Sequence, residues 1–408
     1  MSGPVVGTEA VSSQPADSAN TADGFLAGIN VLDLASVGPA ARCSRTLADF
    51  GARVVKVGPV PANAAAQITP PAYAYGGHRY MSRAQIDLKA PDGKAAFLAL
   101  AAAADVVIES FRPGVVDRLG IGFAEVSEIN PGIVYCSTTG FGQSGPAASW
   151  AGHDLNYLAV SGFLATGEPG VDGRPTIPGA TIADGAGGGM HAVISIMAAL
   201  IARSNTGVGA YLDVSVLDGM MSLMSLFGDE YLATGQRPGW RHNILTGRYA
   251  CYGIYRTADG KWMSVAAIEP VFYRNLCRLL DCERWADHQS DDSVQDRIRD
   301  SFQSAFLTDT QAGWTERLSG HDTCAAPVLT LPDALAEPQV VERGLVVAAQ
   351  HPEAGTFDQI GPSLAGMSRT QQPIELPDWT RTETESLLGA VGYSPETIAE
   401  LKDAGVIA

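Results

Sequence analysis

The sequence predicts an α/β protein: a large domain built on a doubly wound, mainly parallel, Rossmann-like sheet, with a smaller α+β domain beside it. Three observations carry this. Short apolar runs alternate with segments of helical periodicity through the first half of the chain. The character changes after Gly235, where two β-rich runs flank the turn Thr257-Ala258-Asp259-Gly260. A chain of 408 residues, 46% apolar and 17% charged, also has enough apolar material for more than one core.

Taken in order, residues 29–35 form a short apolar run after Gly28. Residues 39–50 have helical periodicity and stop at Gly51, and 53–57 are a second β-rich run, so the chain opens βαβ. A helix over 92–104 leads into a strand at 105–109, and the helical stretch 123–129 leads into a strand at 132–137. Such alternation gives parallel strands with helices on both faces. From Asp184 a glycine-rich turn opens a long apolar helix through Ile201, followed by a strand at 211–215 and a helix over 216–233. Beyond Gly235, residues 248–256 and 262–267 form a predicted hairpin, with helices at 270–280 and 294–306. Closing helices at 382–390 and 395–404 are expected to return to the first domain. The expected division is a disordered tail over 1–24, a large α/β domain over 25–234, a small α+β domain over 235–345 and a returning C-terminal segment over 346–408.

A formal charge of −17 and a pI near 4.7 leave no basic face for nucleic acid. Any anionic ligand must be met by a few local Lys or Arg residues and by helix N-termini. The six cysteines, Cys43, Cys136, Cys251, Cys277, Cys282 and Cys324, contain no CxxC pair and no zinc-ligand spacing. Reduced thiols, a cytoplasmic location and no metal are expected. The tail lacks the basic and apolar regions of a signal peptide. The longest apolar stretch, near 193–202, falls well short of the roughly 20 residues that span a bilayer, so no membrane span is expected.

Several residues carry two readings. Gly140, Gly142 and Gly145 match GxGxxG after a strand, but Pro146 follows at once and no amphipathic helix begins there, so they read as a tight loop beside a site. Asp184, at the mouth of Gly185-Ala186-Gly187-Gly188-Gly189, is either a helix cap or a base or nucleophile to whose neighbouring backbone a ligand comes close. His153, in a loop with Asp154, is either solvated or functional. Glu269 is either a helix-start acid or a charge partner. Arg112 follows a strand, where α/β sheets place ligands, or makes a surface ion pair. Met220, Met221 and Met224 share a helix with Leu217, Leu223, Leu226 and Phe227 and are core, or line an adaptable apolar pocket.

From Gly28 onward the chain resembles the class III CoA-transferase superfamily of CaiB/BaiF type, which includes the α-methylacyl-CoA racemases. The resemblance rests on Leu47-Ala48-Asp49-Phe50-Gly51-Ala52, Asp87-Leu88-Lys89, Phe111-Arg112-Pro113-Gly114-Val115, Gly140-Phe141-Gly142-Gln143-Ser144-Gly145-Pro146, Ala183-Asp184 and Asp213-Val214-Ser215-Val216-Leu217-Asp218-Gly219. The racemase branch is most similar through Gly152-His153-Asp154-Leu155-Asn156-Tyr157, Ala267-Ile268-Glu269-Pro270 and Asp322-Thr323-Cys324-Ala325-Ala326-Pro327. It implies His153, supported by Glu269, facing Asp184 as the catalytic set, with Asp154 beside them. It further implies CoA contacts at Val37, Lys56, Phe111, Arg112 and Asp154, and an acyl site at Tyr157, Met220, Met221 and Met224. An interlocked homodimer with sites between the large domain of one subunit and the small domain of the other is implied as well. Gly58-Pro59 departs from relatives, which often carry an acid or a basic CoA contact there.

The expected activity is interconversion of (R)- and (S)-2-methylacyl-CoA thioesters. Inversion at Cα needs a base on one face, an acid on the other and donors for the enolate oxygen between them. His153 and Asp184 would serve the faces, Glu269 would favour protonated His153, and backbone N–H groups near Asp154 or the glycine-rich turn would receive the oxygen. CoA enters only as part of the substrate, and no further cofactor is required. The alternatives are a CoA-transferase, in which Asp184 forms an aspartyl-acyl anhydride, and a CoA-binding protein without activity.

Overall fold

The computed structural model of the chain describes residues 24–35, 37–61, 76–367, 369–370 and 372–408; of the tail expected over 1–24, residues 1–23 lie outside them. Six strands form the central sheet: β1 (Asn30–Asp33), β2 (Arg53–Gly58), β3 (Met81–Gln85), β4 (Val106–Glu109), β5 (Val134–Thr139) and β6 (Ala210–Ser215). Their order is β3-β2-β1-β4-β5-β6 and every pairing is parallel. The central strands read as unbroken apolar runs because helices cover both faces. On one face, helix α1 (Gly38–Asp49) and the long helix that follows β5 pack Ala40, Cys43, Leu47, Ala192, Val193 and Ile196 over Val31, Val106 and Val134. On the other, the helices Pro91–Ala102 and Phe123–Ile129 meet Leu32, Val55 and Val107.

Strand order reverses between β1 and β4, which are hydrogen-bonded neighbours whose following connections diverge. In sheets of this kind the crevice beyond the carboxyl ends at that point is the ordinary ligand position. Three buried ionisable side chains stand there. Lys56 Nζ lies 2.6 Å from Asp33 Oδ2, and Asp33 Oδ1 accepts the Ala35 N–H at 2.7 Å. Glu109, at the end of β4, accepts the Phe111 N–H at 2.7 Å.

The segment between β5 and β6 contains helix α2 (Asp154–Val160) and helix α3 (Ala183–Thr206). The glycine-rich stretch expected to be a turn is itself helical: Ala183–Met190 is a π-helix that continues into an α-helix over His191–Thr206. This extension makes α3 long and apolar enough, by length and composition, to cross a membrane, whereas the sequence showed only a shorter run. In this fold Ala192, Val193, Ile196, Ala199 and Leu200 face the sheet as core. The helix expected over 216–233 is interrupted at Met224, giving helix α4 (Val216–Leu223) and a second piece, Ser225–Thr234, with no buried residue.

A separate antiparallel sheet of β7 (Tyr252–Arg256), β8 (Trp262–Ala266) and β9 (Ala325–Pro327) is covered by the helices Pro270–Leu279, Gln295–Phe306 and Gln311–Leu318. Its own core includes Tyr255, Tyr273, Phe302, Phe306 and Trp314. A third sheet, β10 (Val346–His351), β11 (Gly355–Ile360) and β12 (Ile374–Glu375), follows. The last helices, Thr384–Ala390 and Pro395–Asp403, place Leu387, Leu388, Ile398 and Leu401 in the core of the central sheet, and Ala408 N–H donates to the Gln85 carbonyl.

Burial pushes the Glu109 carboxyl up to about 7, with the Ser137 hydroxyl and the Phe111 N–H opposing and Asp117 and Asp213 adding to the rise. The folded chain thus keeps a proton that the unfolded chain releases at the ordinary carboxyl value. This contribution is fully present below that value and is lost as pH rises through about 7. The unfolding free energy, measured in denaturant, should fall from this source by on the order of 3 kcal/mol between about pH 4 and pH 8. Glu109→Gln, which keeps an acceptor for Phe111 but cannot ionise, should flatten that decline; the same slope in both proteins would refute the assignment.

Candidate active site

After β5 the chain enters the loop of Gly140, Gly142 and Gly145. Gly142 and Gly145 take φ of +84° and +91°, the left-handed region that glycine enters without cost. No helix begins here; instead both Asp213 carboxylate oxygens accept the Gln143 N–H at 3.1 Å. A Cβ on Gly140 would stand 2.4 Å from the Tyr157 ring. Tyr157 is buried, its hydroxyl donates to the Gly152 carbonyl at 2.6 Å, and Phe141 meets its ring edge-on at 5.2 Å. It therefore supports the loop that carries His153 and Asp154.

His153 is the residue before α2; its N–H donates to Asn156 Oδ1 at 3.1 Å and its side chain is exposed. Asp154 opens the helix, and its Oδ1 accepts the Asp184 N–H at 2.9 Å. That bond joins residues 30 apart in sequence and brings the His153 loop near enough for its charge to act on Asp184. As the first residues of α2, Asp154 and Leu155 also direct N–H groups that have no intrahelical acceptor out of its N-terminal end.

Asp184 occupies the first turn of the π-helix, and glycines let that turn sink between its neighbours. A Cβ on Gly219 of α4 would lie 1.8 Å from the Gly187 carbonyl oxygen, and one on Gly188 would lie 2.5 Å from the Pro39 side chain of α1. A Cβ on Gly187 would press on Met220 at 3.0 Å. Met220 is fully buried and Met224 nearly so, while Met221 is half exposed. Met220 thus packs against the turn that carries Asp184, and Met221 faces outward.

Burial raises the Asp184 pKa, and the like charge of Asp154 raises it further; Arg42 and His153 oppose the rise. A carboxylate moved toward neutrality in this way is a more effective proton carrier near neutral pH. The same surroundings act on Tyr157, whose hydroxyl is pushed up to about 12 by burial and then by Asp184 and Asp154.

Of the expected CoA contacts, Val37 is the residue before α1, and Phe111 and Arg112 follow β4; the two connections flank the point where strand order reverses. Phe111 packs on the core and Arg112 is exposed. Lys56 is 6% exposed and engaged by Asp33, so its ammonium organises the floor of the crevice. Glu269 precedes the helix Pro270–Leu279, is exposed, and has Cys324 as a charge neighbour. Among the described residues of a single chain, the charges acting on Asp184 are Asp154, Arg42 and His153, and Glu269 is not one of them. Sequence reasoning missed Arg42, an unremarked cation on a helix whose apolar face alone was legible. It also missed Glu109, whose burial no local pattern announces.

The sequence matches CoA-transferase family III over residues 26–378. It is 33% identical over 396 residues to human alpha-methylacyl-CoA racemase, covering 94% of this chain and 97% of that protein. It is 30% identical over 399 residues to human succinyl-CoA:glutarate CoA-transferase, covering 94% of this chain and 90% of that protein. Among solved structures, a CAIB/BAIF family protein from Brucella suis superposes with a TM-score of 0.71 at 25% identity, covering 90% of this chain and 99% of that one. A Mycobacterium tuberculosis protein gives 0.73 at 26% identity, covering 86% and 96%. The α/β architecture, with its parallel central sheet and separate small antiparallel sheet, is common to these structures.

Proposed function

This chain belongs to CoA-transferase family III, and we propose that within the family it is a racemase or epimerase that inverts the α-carbon of 2-methylacyl-CoA thioesters. Relatives carry both racemase and transferase names, so membership alone leaves proton transfer and acyl transfer open. The observation that carries the reading is the pairing of two proton-carrying side chains, His153 and Asp184, through the Asp154 bond to the Asp184 backbone. An acyl-transfer nucleophile needs no imidazole beside it, whereas inversion through an enolate needs a second proton carrier.

The thioester α-proton leaves to the carboxylate or the imidazole on its own face, and the other residue returns a proton to the opposite face. The enolate oxygen is received by N–H groups at the start of α2, which are fixed before reaction and need no reorganisation. CoA binds across the crevice between Val37 and Arg112 as part of the substrate. Glu269 of the partner subunit orients His153 and favours its charged form. This arrangement is supported by the separation of Glu269 from Asp184 within one chain and by the exposed apolar face of Ile194, Ile201, Leu226 and Leu232, which calls for a covering surface. Exposed Trp150, Leu155, Met190 and Met221 offer apolar surface for an acyl chain.

With either enantiomer of a 2-methylacyl-CoA in deuterium oxide, the protein should exchange the α-hydrogen and invert the centre without any acceptor acid. His153→Ala and Asp184→Asn should each lower racemisation by about 100-fold or more, while each retains wash-out from one enantiomer, a different one in each variant. Transfer of CoA to succinate with no α-exchange would establish the transferase reading instead. Shared sites are tested by co-expressing Asp184→Asn with Glu269→Gln. Mixed dimers then hold one intact site, and random pairing gives about a quarter of the wild-type sites. Activity no higher than in the separate variants would place Glu269 outside a shared site.

A further inference from the structure

Arg42 lies on α1, the helix against which the π-turn is packed, and its surroundings set it apart from the surface arginines. Its Nη2 donates to Thr181 Oγ1 at 2.6 Å, three residues before Asp184. Its Nε is buried and has no hydrogen-bond partner among the described residues. Gly189 is what admits the stem: a Cβ there would lie 3.1 Å from both the Arg42 Cβ and the Asp184 carbonyl oxygen. The guanidinium is therefore tied to the segment just before Asp184, and its stem lies against the turn where Gly189 leaves room.

The groups around Asp184 give that placement a consequence. From the start of α2 come the carboxylate of Asp154 and the imidazole of His153, with the Tyr157 hydroxyl behind them. Beneath the turn, α4 contributes the apolar Val216 and Met220. Arg42 comes from α1 and is the permanent cation of this set, since a guanidinium does not titrate in the working range and an imidazole does. Without it, a half-buried Asp184 beside Asp154 would be two like charges opposed only by a histidine that must itself change charge during turnover.

We propose that Arg42 is a positioning residue for Asp184: anchored through Thr181, it supplies the fixed positive charge that keeps the Asp184 carboxylate ionised and the π-turn closed on α1. The proposal rests on the reading of Asp184 as a proton carrier for its kinetic consequence, but not for its electrostatic one. Its direction agrees with the lowering effect of Arg42 on that carboxyl.

The test reads the Asp184 carboxyl directly, by carboxyl NMR of aspartate-labelled full-length protein assigned with Asp184→Asn, and in parallel through the pH profile of α-hydrogen exchange. Arg42→Gln should move the Asp184 titration upward by about one pH unit. Below that point it should lower exchange by about tenfold, with the KM for the CoA thioester unchanged. Arg42→Lys should restore most of the shift. An unmoved titration in Arg42→Gln overturns the proposal, as does a raised KM with an unmoved titration, which would mark Arg42 as a phosphate contact. Equal losses in Gln and Lys variants would mean a merely structural role and overturn it too. If Arg42→Gln does not fold, Thr181→Val frees the guanidinium without removing its charge and should give a smaller upward shift; an unmoved titration there is equally fatal. A shifted titration with no exchange activity in the parent protein would leave the proposal standing and remove the racemase reading alone.

Discussion

The site depends on one steric fact: Gly219 of α4 lies so close to Gly187 of α3 that a single methyl group between them would overlap a backbone oxygen. Because no side chain intervenes at Gly187, Gly188, Gly189 or Gly219, the first turn of α3 drops into the angle between α1 and α4 and is held by backbone and by Pro39, Arg42, Val216 and Met220. Inserting even one carbon at such a contact would force backbone to move, at a cost typical of an overpacked core, about 1–3 kcal/mol. A wide π-turn in place of a regular α-turn is the local result, and π-turns recur where a functional side chain must be displaced from a helix face. Asp184 lies in the first turn of this π-helix.

Charge then does what shape has prepared. Three ionisable groups act on Asp184, Asp154 and His153 from the start of α2 and Arg42 from α1, and their balance with burial leaves its pKa raised yet restrained. Two carboxylates alone would drive one of them to bind a proton permanently; Arg42 and His153 oppose this. The same economy operates below the crevice, where the buried Lys56–Asp33 pair fixes the ends of β1 and β2. Removing either partner would leave an uncompensated buried charge, a loss of about 3–5 kcal/mol. In this acidic protein Lys56 and Arg42 are thus each committed to a defined place.

The parallel sheet was legible because β1, β2, β4 and β5 are unbroken apolar runs separated by periodic helices, a pattern that burial on both faces enforces. β3 was not, since Met-Ser-Arg-Ala-Gln at the sheet edge has one partner strand and no apolar run. The third sheet escaped for a similar reason: β11 alternates half-buried and exposed positions around a polar sequence. Glycines misled once, since Ala183–Met190 has the composition of a loop and becomes helical only because α1 and α4 close around it. For the site, residue types pointed to His153 and Asp184, and the structure brings the two together. It could not be read from sequence that Asp154 would be the tie, that Tyr157 would pack on Gly140 and Met220 on Gly187, or that Arg42 would complete the charge set, because each depends on contacts between separate segments of the chain.

If Asp184 moves protons, its own oxygen atoms never exchange with a substrate. If it moves acyl groups, CoA thiolate opens the aspartyl-acyl anhydride to an aspartyl-CoA thioester and releases the donor acid, and the acceptor carboxylate displaces CoA to form a second anhydride. The thiolate then attacks the acceptor's carbonyl, so an acceptor labelled with heavy oxygen leaves its bridging oxygen in the Asp184 carboxylate. Mass analysis of the Asp184 peptide after prolonged turnover with a 2-methylacyl-CoA and heavy-oxygen succinate separates the two directly. A proton-carrying Asp184 predicts an unchanged peptide mass while the α-carbon racemises; accumulation of the label in Asp184 would contradict it.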